Sequence, residues 1–240
     1  MIGNLINFAL IVLGGLLGNL FGGRLSDHLR QTVINGLGLF VTAYGMSMFL
    51  ESEQILLPLG GILLGAIVGE WWQIEEGLEK LGKWVERKVL SNGKNTASEE
   101  DKQRFIKGFV MSTLIFCIGP MAILGGIQDG LFGDYHTLAL KGVMDGFAAL
   151  AFSSTLGIGV MFSAVPVFLY QGIIALLAFQ MQNAMSPLMI SEMTAAGGVI
   201  IMGIGLSSLL ELKKIRIGNL LPALFITPLL AWIAQLLHIL

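Results

Sequence analysis

The stretch Lys141-Gly-Val-Met-Asp145-Gly-Phe-Ala-Ala-Leu-Ala-Phe-Ser-Ser-Thr155-Leu-Gly-Ile-Gly159 decides how the chain is read, because it sets an acid inside a run that otherwise has the composition of a membrane helix. A charged side chain at the centre of a bilayer costs roughly 2.5 to 3.5 kcal/mol on insertion scales. Such a group therefore faces a cavity, a partner or a transport path far more often than lipid. Asp145 is the leading candidate for a functional carboxylate, and the question of fold becomes what surrounds it.

The composition answers the first part. Of 240 residues, 55% are hydrophobic and only 12% are charged, against about a quarter charged in a soluble domain. Glycine occurs 32 times without a collagen-like period, as suits helices that pack closely in a membrane. The apolar runs are long and continuous, whereas barrel strands would alternate polar and apolar residues over segments of ~10. The expected fold is an all-α, polytopic helical membrane protein forming one transmembrane domain over residues 1–240.

Eight stretches approach the ~20 apolar residues needed to cross a bilayer. They are Ile2 to Phe21, Val33 to Leu50, Ile55 to Trp72, Phe105 to Ile127, Ala139 to Val160, Ser163 to Met181, Ser191 to Leu210 and Ile217 to His238. Gly157, Gly159 and Pro166 mark the join between the fifth and sixth, where a discontinuous helix is an alternative. The first stretch has no basic leader before it and reads as a retained span. With eight crossings, 13 of the 14 Lys and Arg residues fall on one side and only Lys141 falls on the other. The excess of basic residues marks the cytoplasmic side. Both termini are then expected outside the cytoplasm, in a multi-pass bacterial inner-membrane protein with the lipid bilayer as its first partner.

The third loop, residues 73–104, is expected to be a cytoplasmic amphipathic helix and linker. Ile74, Leu78, Leu81, Val85 and Val89 recur at helical spacing, and Ser91 to Asp101 has no apolar period. Two glycine series, Gly14, Gly18 and Gly22 in the first span and Gly61, Gly65 and Gly69 in the third, each lie on one helix face and predict close backbone packing. They also offer a homodimer surface, unless the bundle itself uses them. Val33-Ile-Asn-Gly-Leu37 echoes Val143-Met-Asp-Gly-Phe147, which suggests an inverted repeat of spans one to three and four to six. The seventh span echoes the second, with Gly198, Gly205 and Glu211 matching Gly38, Gly45 and Glu51.

Around Asp145, the fifth span presents a small and partly polar face flanked by Ser153 and Thr155. The second span presents Asn35, Gly38, Thr42 and Gly45. Asp145, Asn35, Thr42, Ser153 and Thr155 form the expected site for a small ion or solute, since a carboxylate and an amide oxygen suit a hard cation or a hydrogen-bonding molecule. Three other readings of Asp145 stand beside this one: a structural hydrogen bond between helices, a place in a loop rather than a span, and a salt-linked helix entrance formed with Lys141 one turn earlier. Glu192 is read as an acid at the start of its own helix, Glu70 as interfacial, Gln171 as lining a cavity or bonding its own helix, and Asp129, Asp134 and His136 as an outside loop.

No nucleophile, base and oxyanion set is legible, and the three histidines are scattered, so the expectation is not an enzyme. One cysteine, Cys117, gives neither a disulfide nor a cysteine-rich metal site. Neither a cofactor nor nucleic acid is expected as a partner at a net charge of −2. Taken together, the opening Met-Ile-Gly-Asn-Leu-Ile-Asn, the Gly14-Gly-Leu-Leu-Gly18 run, Asn35-Gly36-Leu37 and Asp145-Gly146 resemble the bacterial membrane proteins grouped as domain of unknown function family 554, the YdfK/YqgA-like proteins. The resemblance runs over essentially the full length and implies a multi-spanning inner-membrane protein. It carries over neither a substrate nor site residues. The reading that follows is a small secondary transporter or permease using Asp145, with proton or cation coupling. The competing reading is a non-transporting interaction protein that acts through the third loop.

Overall fold

The computed structural model describes residues 1–22, 26–90, 98–178 and 185–237, and every regular element among them is helical. In order, these are α1 (Ile2–Gly22), α2 (Asp27–Phe49), α3 (Leu56–Trp72), α4 (Ile74–Leu90), α5 (Glu99–Cys117), α6 (Pro120–Leu131), α7 (His136–Leu156), α8 (Gly159–Phe162), α9 (Ala164–Leu176), α10 (Pro187–Gly203) and α11 (Ala223–Leu236). Arg24, Lys94, His238 and the greater part of the expected linker lie outside the described residues. That linker is shorter than Ser91 to Asp101. Ser98 Oγ accepts the Asp101 backbone N–H at 3.1 Å, and the acids Glu99, Glu100 and Asp101 fill the first turn, so α5 starts where the sequence looked aperiodic.

Among the described residues, five helical segments are long and apolar enough to cross a membrane, or up to seven if the bent pairs α3–α4 and α5–α6 each count as one crossing. Glycine and left-handed residues make the breaks. Gln73 ends α3 at φ +52° with its N–H turned back to the Glu70 and Gly69 carbonyls, and Gly119 stands at φ +144° before Pro120. The expected count of eight is not reached. The stretch left out is α7, whose Lys141, Asp145 and run Ser153 to Thr155 dilute an otherwise apolar helix. The suspected break after it is real: Gly157 at φ +80° closes α7, and the single turn α8 precedes α9.

The chain divides into two compact units. The first, residues 1–37, 78–117 and 121–179, is built on α1 and α7. Gly14, Gly18 and Gly22 lie against the backbone carbonyls of Gly146, Leu150 and Ser154, so close that a Cβ at any of the three would collide with them. Both series ascend together, so α1 and α7 run parallel and in contact from Gly3 beside Leu138 to Gly22 beside Ser154. In contrast, α9 runs antiparallel to α1, with Phe168 beside Phe8 and Gly172 beside Asn4. Antiparallel packing also joins α5 to α7, with Phe116 against Phe152 and Gly108 against Leu156.

The second unit, residues 38–77, 118–120 and 180–240, uses the other glycine series. Gly61, Gly65 and Gly69 pack on Thr227, Ala223 and Asn219, so α3 and the chain leading into α11 are antiparallel. Gly45 meets Gly198, and Gly205, in the π-helical turn Ile204–Leu209 after α10, meets Thr42 and the Gly38 carbonyl. Glu192 corrects the sequence reading. It sits fully buried inside α10 and caps the approach to α3 rather than its own helix, accepting from Ser52 Oγ at 2.6 Å, Glu53 N at 2.8 Å and Gln54 N at 2.7 Å. Three donors from an uncapped helix approach are what a buried carboxylate needs to stay satisfied. Glu70 bonds Arg216 and Asn219, and Asn219 Oδ1 accepts from Glu75 N at 2.8 Å, which ties the α3–α4 break to the 3-10 turn Ile217–Leu220.

Candidate functional site

Asp145 lies two turns into α7, one helical turn after Lys141, and the two side chains form an ion pair inside the first unit. Both are buried, at 8% and 6% exposure. The spacing of four residues puts them on one face of α7, and the parallel packing turns that face toward α1. There Gly142 lies directly against the Asn7 backbone, and Asn7 adds a side-chain hydrogen-bonding interaction with Asp145.

Carboxamides continue the site. Asn7 Nδ2 donates to Gln171 Oε1 of α9 at 3.1 Å, and Asn4 Nδ2 donates to the Phe168 carbonyl at 2.9 Å. Asn4, Asn7 and Gln171 are all at 0% exposure. Asp129 of α6 reaches the start of α1, accepting from Asn4 N at 3.2 Å and pairing with the Met1 amino group at 3.1 Å. A carboxylate at a helix N-terminus satisfies an orphan N–H and suits the helix dipole. Asp129 therefore belongs to this buried cluster rather than to an outside loop. Asp134 and His136 do stay on an exposed connection, bonded to each other at 2.7 Å, and that bond together with the His136 backbone N–H holds the Asp134 carboxyl below its ordinary range.

The cluster is incompletely satisfied. Asn4 Oδ1, Asn7 Oδ1 and Gln171 Nε2 are buried without a partner. Each such atom carries a desolvation cost of about 1–3 kcal/mol, so three together on neighbouring turns of α1 and α9 mark a place prepared for something polar.

Of the expected site residues, Asp145 alone sits here. Asn35 is exposed, and its Oδ1 accepts from Gln31 Nε2 one turn earlier on α2; the amide beside Asp145 is that of Asn7. Thr42 donates back to the Gly38 carbonyl of its own helix at 2.8 Å. Ser153 donates to the Gly15 carbonyl at 2.7 Å, latching α7 to α1 where glycine leaves a backbone oxygen within reach, and Thr155 donates to Phe152. The Thr155 carbonyl in turn accepts from Arg104 at 2.8 Å, a cation at the last turn of α7. Of these hydroxyls, Ser153 alone bonds from one helix to another, while Thr42 and Thr155 bond back to their own helices. Asn4 and Asn7 escaped the sequence reading, although they stand on the same stripe as Gly14, Gly18 and Gly22. Once the stripe is recognised as a packing face, any polar residue on it must be buried.

The geometry stands beside close likenesses among known proteins. A family model described as "Protein of unknown function (DUF554)" matches residues 2–232. The chain is 30% identical over 237 residues to the "Uncharacterized membrane protein YdfK" of Bacillus subtilis (strain 168), covering 97% of this chain and 96% of that one. It is also 29% identical over 226 residues to the "Uncharacterized protein YqgA" of Escherichia coli (strain K12), covering 94% of each. No solved structure matches it. A full-length family match, a relative described as a membrane protein, and a helical body with five to seven candidate spans agree with one another: the chain belongs to the DUF554 family of membrane proteins of unknown function.

Proposed function

We propose that the protein is a small secondary transporter or permease for a small ion or solute, with its binding site at the Lys141–Asp145 pair, Asn4, Asn7 and Gln171. The observation that carries this reading is the set of buried, unpartnered carboxamide atoms beside a buried ion pair. Ionisable residues facing the interior of a membrane bundle mark ion and substrate pathways. Asp145 is the group through which a proton or cation would be coupled.

The reading includes eight crossings, with α7 as the fifth. Helix directions within each unit support it: α7 is parallel to α1, α5 antiparallel to α7, α9 antiparallel to α1, and α3 antiparallel to α11. Crossings numbered one, five, four, six, three and eight require those directions. Both termini then lie outside the cytoplasm of a bacterial inner membrane, following the excess of basic residues. The inverted repeat of spans one to three and four to six rests on the sequence echo alone, and the glycine series are consumed inside the units, which removes them as the basis for a homodimer.

The test is flux in proteoliposomes across protons, alkali cations, chloride and small polar solutes, with wild type against Asp145→Asn. Flux of at least one species should fall by about tenfold or more, as expected when a buried polar contact to the substrate is lost. Identical behaviour across the whole panel rejects transport. If cellular function instead disappears when residues 91–101 are deleted, while Asp145→Asn leaves it intact, the protein is an interaction module acting through its third loop.

A further inference from the structure

The same site restricts what its solute can be, and the restriction rests on the transport reading above. Lys141 and Asp145 cancel each other, and the three carboxamides are uncharged. Of the other titratable groups, Asp129 is paired with the Met1 amino group, and Cys117 of α5 interacts electrostatically with both members of the pair. An incoming ion would add a net charge to a low-dielectric interior whose own charges are already matched. Without a new counter-charge, that is the most expensive arrangement there is.

The free hydrogen-bonding atoms narrow the choice further. A carbonyl and a carboxylate can only accept, so Asn4 must turn its nitrogen to the Phe168 carbonyl, and Asn7 must turn its nitrogen to Asp145 and Gln171 Oε1. What remains is two acceptors, Asn4 Oδ1 and Asn7 Oδ1, and one donor, Gln171 Nε2. We propose that the site takes a small polar solute of net charge zero, presenting at least two hydrogen-bond donors and one acceptor, as carboxamides and polyols do.

The experiment is light-scattering uptake by proteoliposomes under inward gradients of urea, acetamide, glycerol and glycine, run beside Na+, K+, H+ and Cl− flux on the same preparation. At least one of the four solutes should enter saturably, about tenfold faster than into empty liposomes, and Asn7→Leu should remove about tenfold of that rate because it deletes a substrate hydrogen bond. The double variant Lys141→Gln/Asp145→Asn keeps the site neutral, and it should retain uptake well above that of Asp145→Asn alone. Equal loss in the double and single variants, or uptake that ignores Asn7→Leu, overturns the assignment. Asp145-dependent ion flux with none of the four solutes carried overturns the solute class and leaves transport standing. No Asp145-dependent flux of any kind overturns both.

Discussion

Single residues carry the polar chemistry, and their consequences can be measured one at a time. Replacing Asp145 by Asn leaves the Lys141 ammonium buried without its partner, which should cost about 3–5 kcal/mol of stability. Changing Lys141 to Gln as well should restore most of that, and unfolding of the purified protein in detergent distinguishes the two variants. On the exposed connection, the Asp134 carboxyl titrates below its ordinary range because His136 donates to its charged form. A depressed folded value means that the stabilisation is in place above the ordinary carboxylate range and is lost as pH falls through the depressed value. The Asp134 carboxyl should titrate at lower pH in wild type than in His136→Ala, by NMR of labelled protein. At this scale the sequence was half legible. Asp145 announced itself by being an acid in an apolar run, while Asn4 and Asn7 did not, because asparagine near the end of a hydrophobic segment looks like the end of the segment. Asn35 drew attention through its echo of Asp145, yet a motif echo says nothing about which neighbouring helix faces it.

Elements were more legible, because glycine at every fourth position has few structural uses. Both series are packing faces, as their spacing implied, but spacing cannot name the partner: α1 pairs with α7, far away in sequence, and α3 with α11. Gly18→Ala would drive a methyl group into the Leu150 carbonyl and should cost about 1–3 kcal/mol. Gly36→Ala in α2 meets nothing within 4 Å and should be neutral or stabilising by up to about 1 kcal/mol, since alanine is the better helix former. Thermal unfolding of the two variants side by side tests whether close approach, rather than glycine content, is what the series supply. Element ends were harder to read. Glu192 resembled a cap for its own helix because local spacing is all a sequence displays, whereas its donors are contributed by residues 52–54.

For the whole molecule, hydropathy alone picks out five to seven candidate spans among the described residues and passes over α7, the helix that carries the proposed site. Its packing along α1 tells against that omission. Replacing Cys117 by Ala gives a cysteine-free background in which single cysteines report sidedness. A cysteine at Asp134 should react with a membrane-impermeant maleimide in intact cells, and one at Lys88 only after permeabilisation. Reaction of both from the same side rejects the eight-crossing arrangement. The parallel pairing of α1 with α7 also bears on how the protein is made. α1 leaves the ribosome long before α6 and α9, yet the Asn4 backbone amide is capped by a residue 125 positions later and the helix's asparagine amides are met by residues 164 positions later. Until most of the chain has been inserted, α1 waits in the bilayer with exposed polar groups. Biogenesis should therefore be most vulnerable at its beginning, with nascent chains that stop short of Gln171 being the ones that membrane quality control removes.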